Sequence, residues 1–239
     1  MATIHLADPG QHNADLNATI ARLTREGCWK NQRVVWIIPH GASIPGKVYC
    51  AHRSVIFPPN QAVVPLGVEG AEVGHAYEAA LDVILQSNLR DFEYALTVEH
   101  DNIPQSDGAL KLMAHMDAHP EFAAISGLYF TKGPGGVAQI WGDVSDPVPN
   151  YRPQVPKVGE LVECYGIGQG FALWRISMFR ELEAKKVPRP WFKTCADATG
   201  SGTQDLYAWG NVFRPNGYRC AVACDVPVGH YDSSTGICW

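Results

Sequence analysis

Apolar residues along the chain alternate between helical stripes and short continuous runs. Leu16, Ile20 and Leu23 recur at a helical step after Asn13, a suitable N-cap, and the pattern stops at Gly27. Arg33 to Pro39 is a compact apolar run rich in β-branched residues and predicts a buried strand; Val63 to Leu66 predicts a weaker second one. Val73, Tyr77, Ala80 and Ile84 put one apolar face on a helix over 71–86. Tyr94 to Val98 predicts a third strand, which ends in the polar cluster Glu99-His100-Asp101-Asn102. Ser106 is placed to cap a helix carrying Leu110, Met113 and Met116, and Phe122 to Ser126 predicts a fourth strand.

Residues 131–160 break the rhythm. Gly133, Pro134, Gly135, Gly136, Pro147, Pro149, Pro153 and Pro156 predict a long irregular segment with one short strand around 139–141. A loop of this length inside a compact domain is usually functional or mobile, with an ordinary surface insertion as the plainer alternative. Order returns with a strand over Phe171–Arg175, a helix capped by Ser177 and running to Lys186, a helix over Gln204–Phe213, and a strand from Arg219 to Asp225 leading towards His230. Helix and strand in alternation predict an α/β fold with a mostly parallel central sheet flanked by helices. Ligands of such sheets sit beyond the carboxyl ends of the strands, where Pro39-His40 and Glu99 to Asn102 both fall.

Composition narrows the class. The chain has 239 residues, which suits one large domain, and its 46% hydrophobic content excludes disorder, collagen and coiled coil. No run of 18 apolar residues spans a membrane, and the first residues lack the basic and apolar regions of a signal peptide. The expected location is the cytoplasm, or a host's cytoplasm for a viral protein. Seven cysteines then read as reduced thiols. Cys220 and Cys224 have a CxxxC spacing that could hold zinc, but no second Cys/His pair stands at regular spacing. A net charge of -5 does not favour broad capture of a nucleic-acid backbone.

Four pieces could carry chemistry. Glu99 and Asp101 end a strand as acid-x-acid, on the same side of the chain, and can hold a hard divalent cation with positions open to phosphate oxygens. A solvated turn or a helix cap is the plainer alternative. Gly166, Gly168 and Gly170 alternate before a strand and permit close approach of a ligand, although a tight strand entry explains them equally. They are no P-loop, because the Lys-Ser/Thr ending is missing. Asp205 opens a helix and by itself reads as a cap; His230 by itself reads as structural.

In this order the pieces resemble the GT-A glycosyltransferases, most closely the family 2-like inverting enzymes. Glu99-His100-Asp101 matches the family's DxD-type motif. Gly168-Gln169-Gly170-Phe171-Ala172-Leu173-Trp174-Arg175, with Phe179 after it, matches G-x-GFxLxRxxxF. Gln204-Asp205 matches the acidic pair that opens a helix, Gly217-Tyr218-Arg219 the motif after it, and His230 the closing histidine. The resemblance covers roughly residues 33–232 of a single GT-A-like (Rossmann-like) domain, 1–239, with 1–32 as an N-terminal helical extension. The departures are Glu99 for Asp, Gln204 for an acid, and Val73 to Tyr77 where the family has Asn-Arg.

The resemblance implies a metal-dependent, inverting glycosyltransferase of hexosyl type, moving a sugar from a nucleotide-sugar donor, with a UDP-sugar favoured, to an acceptor hydroxyl. It makes Asp205 the catalytic base. Asp101, His230 and Glu99 become metal ligands or near-ligands, a carboxylate–imidazole set that suits Mn²⁺ better than Mg²⁺. Pro39, His40, Glu69 and Gly74 join Glu99 and Asp101 around the donor. Gly168, Gln169 and Gly170 face the donor sugar or acceptor, with Trp141 and Trp191 as stacking platforms; Trp174 reads as core. The acceptor is a glycan, a protein or a hydroxymethylated base of viral DNA. The competing readings are a nucleotidyltransferase, disfavoured by the poor phosphate loop after Pro39, and a non-catalytic nucleotide-sugar-binding module.

Overall fold

The computed structural model describes residues 9–27, 30–59, 61–148, 150–197 and 200–239. The expectations for Cys28 and Pro149 lie outside them. The chain divides into two units, Met1–Asn31 and Gln32–Trp239. In the first, helix α1 spans Pro9–Arg25, so it begins before Asn13, and Arg22 pairs with Glu26 one turn on.

The second unit holds the α/β domain. Its elements are β1 (Val34–His40), α2 (Gly46–Ser54), β2 (Val63–Glu69), α3 (Val73–Gln86), β3 (Tyr94–Val98), β4 (Asn102–Pro104), α4 (Gly108–Ala118), β5 (Ala124–Leu128), β6 (Ile140–Asp143) and β7 (Leu161–Ile167). There follow β8 (Phe171–Arg175), α5 (Ile176–Ala184), the hairpin β9 (Cys195–Asp197) and β10 (Gly200–Gly202), α6 (Gln204–Ala208) and β11 (Cys220–His230). The central sheet runs β2-β1-β3-β8-β5-β11-β7-β6, with β4 paired to β11 beyond its bulge.

Parallel pairing joins β2, β1 and β3, and separately β5 and β11. The β3–β8, β8–β5, β11–β7 and β7–β6 pairs are antiparallel. The expectation of a mostly parallel sheet therefore describes one half; the other half is mixed, because β8 inserts against the grain between β3 and β5. Period-2 alternation splits the apolar strands between two cores. Val35, Ile37 and Trp174 face α3, α5, Trp191, Trp209 and Phe213, while Val34, Leu96 and Leu173 face α4 through Leu112, Met113 and Met116.

Two helix starts differ from their expected caps. Helix α4 begins after Asp107 rather than Ser106, and α5 begins at Ile176, one residue before Ser177. The helix expected over Gln204–Phe213 loosens after Ala208 into a wider π-type turn, Trp209–Phe213. Cys220 and Cys224 lie on one strand, where four residues span about 13 Å, too far to share one zinc ion. The described cysteines are free thiols. Among the described residues no helix is long and apolar enough to cross a membrane.

Candidate active site

Strands β1 and β3 end side by side, because they pair in parallel register from Val34↔Tyr94 onward. A cavity of about 370 Å³ opens there, in the range of small-ligand sites. Pro39, His40 and Gly41 from the end of β1 line one side, with Ala71 and Val73 at the start of α3. Glu99, His100 and Asp101 from the turn after β3 line the floor. Thr203, Gln204 and Asp205 arrive from the start of α6, and His230 from the end of β11. Residues far apart in sequence are thus brought together: Asp101, Asp205 and His230 meet around one space.

Antiparallel pairing of β4 with β11 puts His230 opposite Asn102, and Tyr231 N–H donates to the Asp101 carbonyl at 2.7 Å. The His230 Nδ1–H donates to the Phe130 carbonyl at 2.7 Å, which turns Nε2 towards Asp101 Oδ2, 3.5 Å away. The same carboxylate oxygen accepts a hydrogen bond from Lys132 Nζ at 2.6 Å. Burial works to raise the Asp101 carboxyl, but the hydrogen bonds from His230 and Lys132 outweigh it and hold the group well below the usual carboxylate range.

The neighbouring acids behave differently. Burial, with the charges of Asp101 and Asp205 nearby, pushes Glu99 up to about 7, although Tyr77 donates its O–H to Glu99 Oε1 at 3.0 Å. Asp205, 6% exposed, is raised above its ordinary value by burial, against hydrogen bonds from Thr203 and from the Leu206 N–H at 2.8 Å.

The residues expected to hold a divalent cation fit it in part. Asp101 Oδ2 and His230 Nε2 converge, and the bond from His230 Nδ1 to a carbonyl is the outer contact that orients a metal-binding imidazole. Glu99 points to Tyr77 instead, and the Lys132 ammonium stands on the Asp101 oxygen an ion would use. Among the described residues no three His, Cys, Asp or Glu side chains form a metal-holding group.

Other expected residues are placed as follows. Pro39 and His40 line the cavity, whereas Glu69 is exposed beside His40 at the end of β2 and does not. Gly74 lies in the first turn of α3, where a Cβ would press on Lys193 and Thr194; it packs a helix start rather than contacting the cavity.

Gly168, Gln169 and Gly170 also do not line the cavity. Gly170 packs on Asn102, donates its N–H to the Tyr129 hydroxyl at 2.9 Å and accepts from Glu99 N–H at 3.2 Å. Gly168 leaves room for that same Tyr129 hydroxyl. The glycines thus support the acidic turn, through Asn102, Tyr129 and the Glu99 N–H. Gln169 is 1% exposed, with both side-chain polar atoms unpartnered beside Tyr77, Thr97 and Trp174.

Trp191, expected as a stacking platform, is core: it is 1% exposed, stacks on Phe179 and donates its ring N–H to the Val187 carbonyl at 3.2 Å. Trp141 is half-buried and donates to Gln139 Oε1 at 2.8 Å; Gln139 lines the cavity. Trp174 is core, stacked on Trp209. Sequence reasoning missed His100, Tyr129, Gln139, Thr203 and Lys132. Only His100 and Thr203 carried a local signal, as neighbours of Asp101 and Asp205.

No family model matches the sequence, and no curated protein is significantly similar to it. Among solved structures, A197 from STIV is 18% identical to this chain, matching 84% of it and 87% of that chain with a TM-score of 0.58. TarS residues 1–349 from S. aureus is 13% identical, matching 82% of this chain and 59% of that one with a TM-score of 0.44, a likeness too distant to argue from. At this identity the comparison with A197 bears on the fold alone, and the fold is the single α/β, Rossmann-like domain expected from the sequence.

Proposed function

We propose that the protein is an inverting glycosyltransferase that takes a sugar from a nucleotide-sugar donor, a UDP-sugar in the favoured form, to an acceptor hydroxyl. One observation carries the reading: Pro39-His40, Asp101, Asp205 and His230, to which the family resemblance assigns donor, metal and base roles, line a single cavity of about 370 Å³. Pro39 and His40 would flank the nucleoside. The diphosphate would lie towards Asp101 and His230. Asp205 would face the acceptor, and burial has already raised its affinity for a proton.

In the reaction the acceptor oxygen attacks the anomeric carbon as the bond to the β-phosphate oxygen breaks. The electron pair leaves with the diphosphate, and the acceptor's proton passes to Asp205. One displacement inverts the anomeric centre. A divalent cation, Mn²⁺ or Mg²⁺, would be held by Asp101 and His230 and would supply Lewis-acid neutralisation of the diphosphate, provided Lys132 leaves the Asp101 oxygen. Residues 131–160, which reach the cavity wall through Gln139, would serve as lid or acceptor loop. A glycan, a protein or a hydroxymethylated DNA base are the acceptor classes to screen.

Calorimetric titration with UDP-, GDP- and TDP-sugars, in Mn²⁺ and in chelator, tests the reading. Binding of one nucleotide class is the expected result. Absence of binding to all three under both conditions rejects it and leaves a plain α/β binding domain.

A further inference from the structure

The cavity wall is acidic. Glu99, Asp101 and Asp205 line it, and none of the described lining residues is Lys or Arg. A diphosphate entering such a space meets like charge unless a cation comes with it or is already there. Lys132 is not among the lining residues but stands next to them, its ammonium 2.6 Å from Oδ2 of the lining residue Asp101.

The backbone around Lys132 is built to hold it in place. Gln139 N–H donates to the Tyr129 carbonyl and Thr131 N–H to the Val137 carbonyl, both at 2.9 Å, so residues 129–139 form a hairpin with Lys132 near its tip. Gly133 and Gly135 take left-handed φ values of 102° and 78°, which favour glycine. At Gly136 a side chain would run into the Thr131 carbonyl. The hairpin base is tied to the site three ways: Tyr129 and Gln139 line the cavity, and the Phe130 carbonyl takes the His230 Nδ1–H. The Lys132 side chain itself is 34% exposed, which leaves its ammonium free to turn.

We propose that Lys132 is the resident counter-ion of the donor diphosphate: held on Asp101 in the free protein, its ammonium turns to the phosphates when a nucleotide binds. This rests on the nucleotide-sugar reading above and adds a binding residue to it. The leaving diphosphate gains one negative charge as the glycosidic bond to its oxygen breaks, and Lys132 lies beside the group that takes it. It follows that nucleoside diphosphates bind without a divalent cation. An ion held between His230 Nε2 and Asp101 Oδ2 would compete with the Lys132 ammonium for that oxygen.

The test is titration calorimetry of UDP, GDP and TDP against the full chain in chelator, for wild type, Lys132→Met, Lys132→Gln and Lys132→Arg. Thermal unfolding checks that each variant folds. Wild type is expected to bind one of the three in chelator. The Met and Gln variants should bind it about 10- to 100-fold more weakly, the usual cost of a charge-assisted hydrogen bond, and the Arg variant within a few fold of wild type. Two results overturn the inference alone and leave the glycosyl-transfer reading standing: wild-type binding that needs Mn²⁺ and vanishes in chelator, or chelator-resistant binding indifferent to Met and Gln at 132. Failure of all three nucleotides with and without Mn²⁺ overturns both.

Discussion

Replacing Glu99 by glutamine tests the electrostatics of the cavity independently of its substrate. The Glu99 carboxyl holds its proton up to about 7 in the folded chain against an ordinary 4.5, because it is desolvated and sits beside Asp101 and Asp205. A group raised in the folded state contributes stability that is fully present below 4.5 and is lost as pH rises through 7. Once folded and unfolded forms are both deprotonated, the loss amounts to about 3 kcal/mol. In Glu99→Gln the new amide keeps a carbonyl to accept the Tyr77 O–H but has no proton to lose. Between about pH 5 and about pH 8.5 the stability of the variant relative to wild type should therefore rise by about 2 kcal/mol. Urea unfolding of both proteins in chelator at several pH values in that window measures it, with m-values compared to confirm that the unfolded states match. A gap that stays constant to about 0.5 kcal/mol across the window refutes the reasoning, since it would mean that Glu99 is solvated and titrates normally.

Three further outcomes follow from the site and its supports. Asp205→Asn should lower transfer by about 10²- to 10⁴-fold while leaving nucleotide affinity unchanged, and near-normal turnover would remove Asp205 as the base. Trp191→Ala should cost about 3–5 kcal/mol in urea unfolding, because a side chain stacked on Phe179 is lost from the core; a stable variant defective only in sugar affinity would restore Trp191 as a platform. Gly170→Ala would place a methyl 2.5 Å from the Asn102 side chain and should destabilise by about 1–3 kcal/mol; wild-type stability would show that the acidic turn yields easily.

Much of the fold was legible because its signals are local. The β1 and β3 runs are apolar on both faces, and their strands match the expected ranges to within a residue. What escaped depends on partners distant in sequence. Strand β7 reads Leu-Val-Glu-Cys-Tyr-Gly-Ile, too polar and too close to the glycines to stand out, and it forms by pairing with β11. The reversed polarity of β8 is set by insertion between β3 and β5 and leaves no mark in its own residues. Within the site, Asp101, Asp205 and His230 follow strand ends or open helices, which pattern reading detects. Lys132 does not: it sits among glycines and prolines, and only the hairpin closed by Val137 and Gln139 carries it to Asp101, 31 residues away. Trp191 misled for the converse reason, since Pro-Arg-Pro-Trp-Phe looks like a surface turn while its aromatic residues turn inward onto Phe179 and Tyr77.

Three carboxylates around one cavity would repel one another and any anionic donor if all were ionised alike, and the fold prevents that by giving each a different environment. Asp101 takes the ammonium of Lys132 and the imidazole of His230 and stays ionised, the state in which it can anchor a cation of either kind. Glu99 receives the Tyr77 hydroxyl, is desolvated and carries the unfavourable charge of both neighbours, so it retains its proton towards neutrality and relieves the crowding. Asp205 is raised by burial yet keeps hydrogen bonds to Thr203 and to the start of α6, which leaves it ionisable but more basic than a surface aspartate. Separated proton affinities of this kind let neighbouring acids take unlike roles at one pH. The division depends on Lys132 and His230 both bearing on Asp101. Removing either should therefore reach beyond the diphosphate: with Asp101 less neutralised, Glu99 would hold its proton more tightly still, and the pH dependence of stability would move up with it.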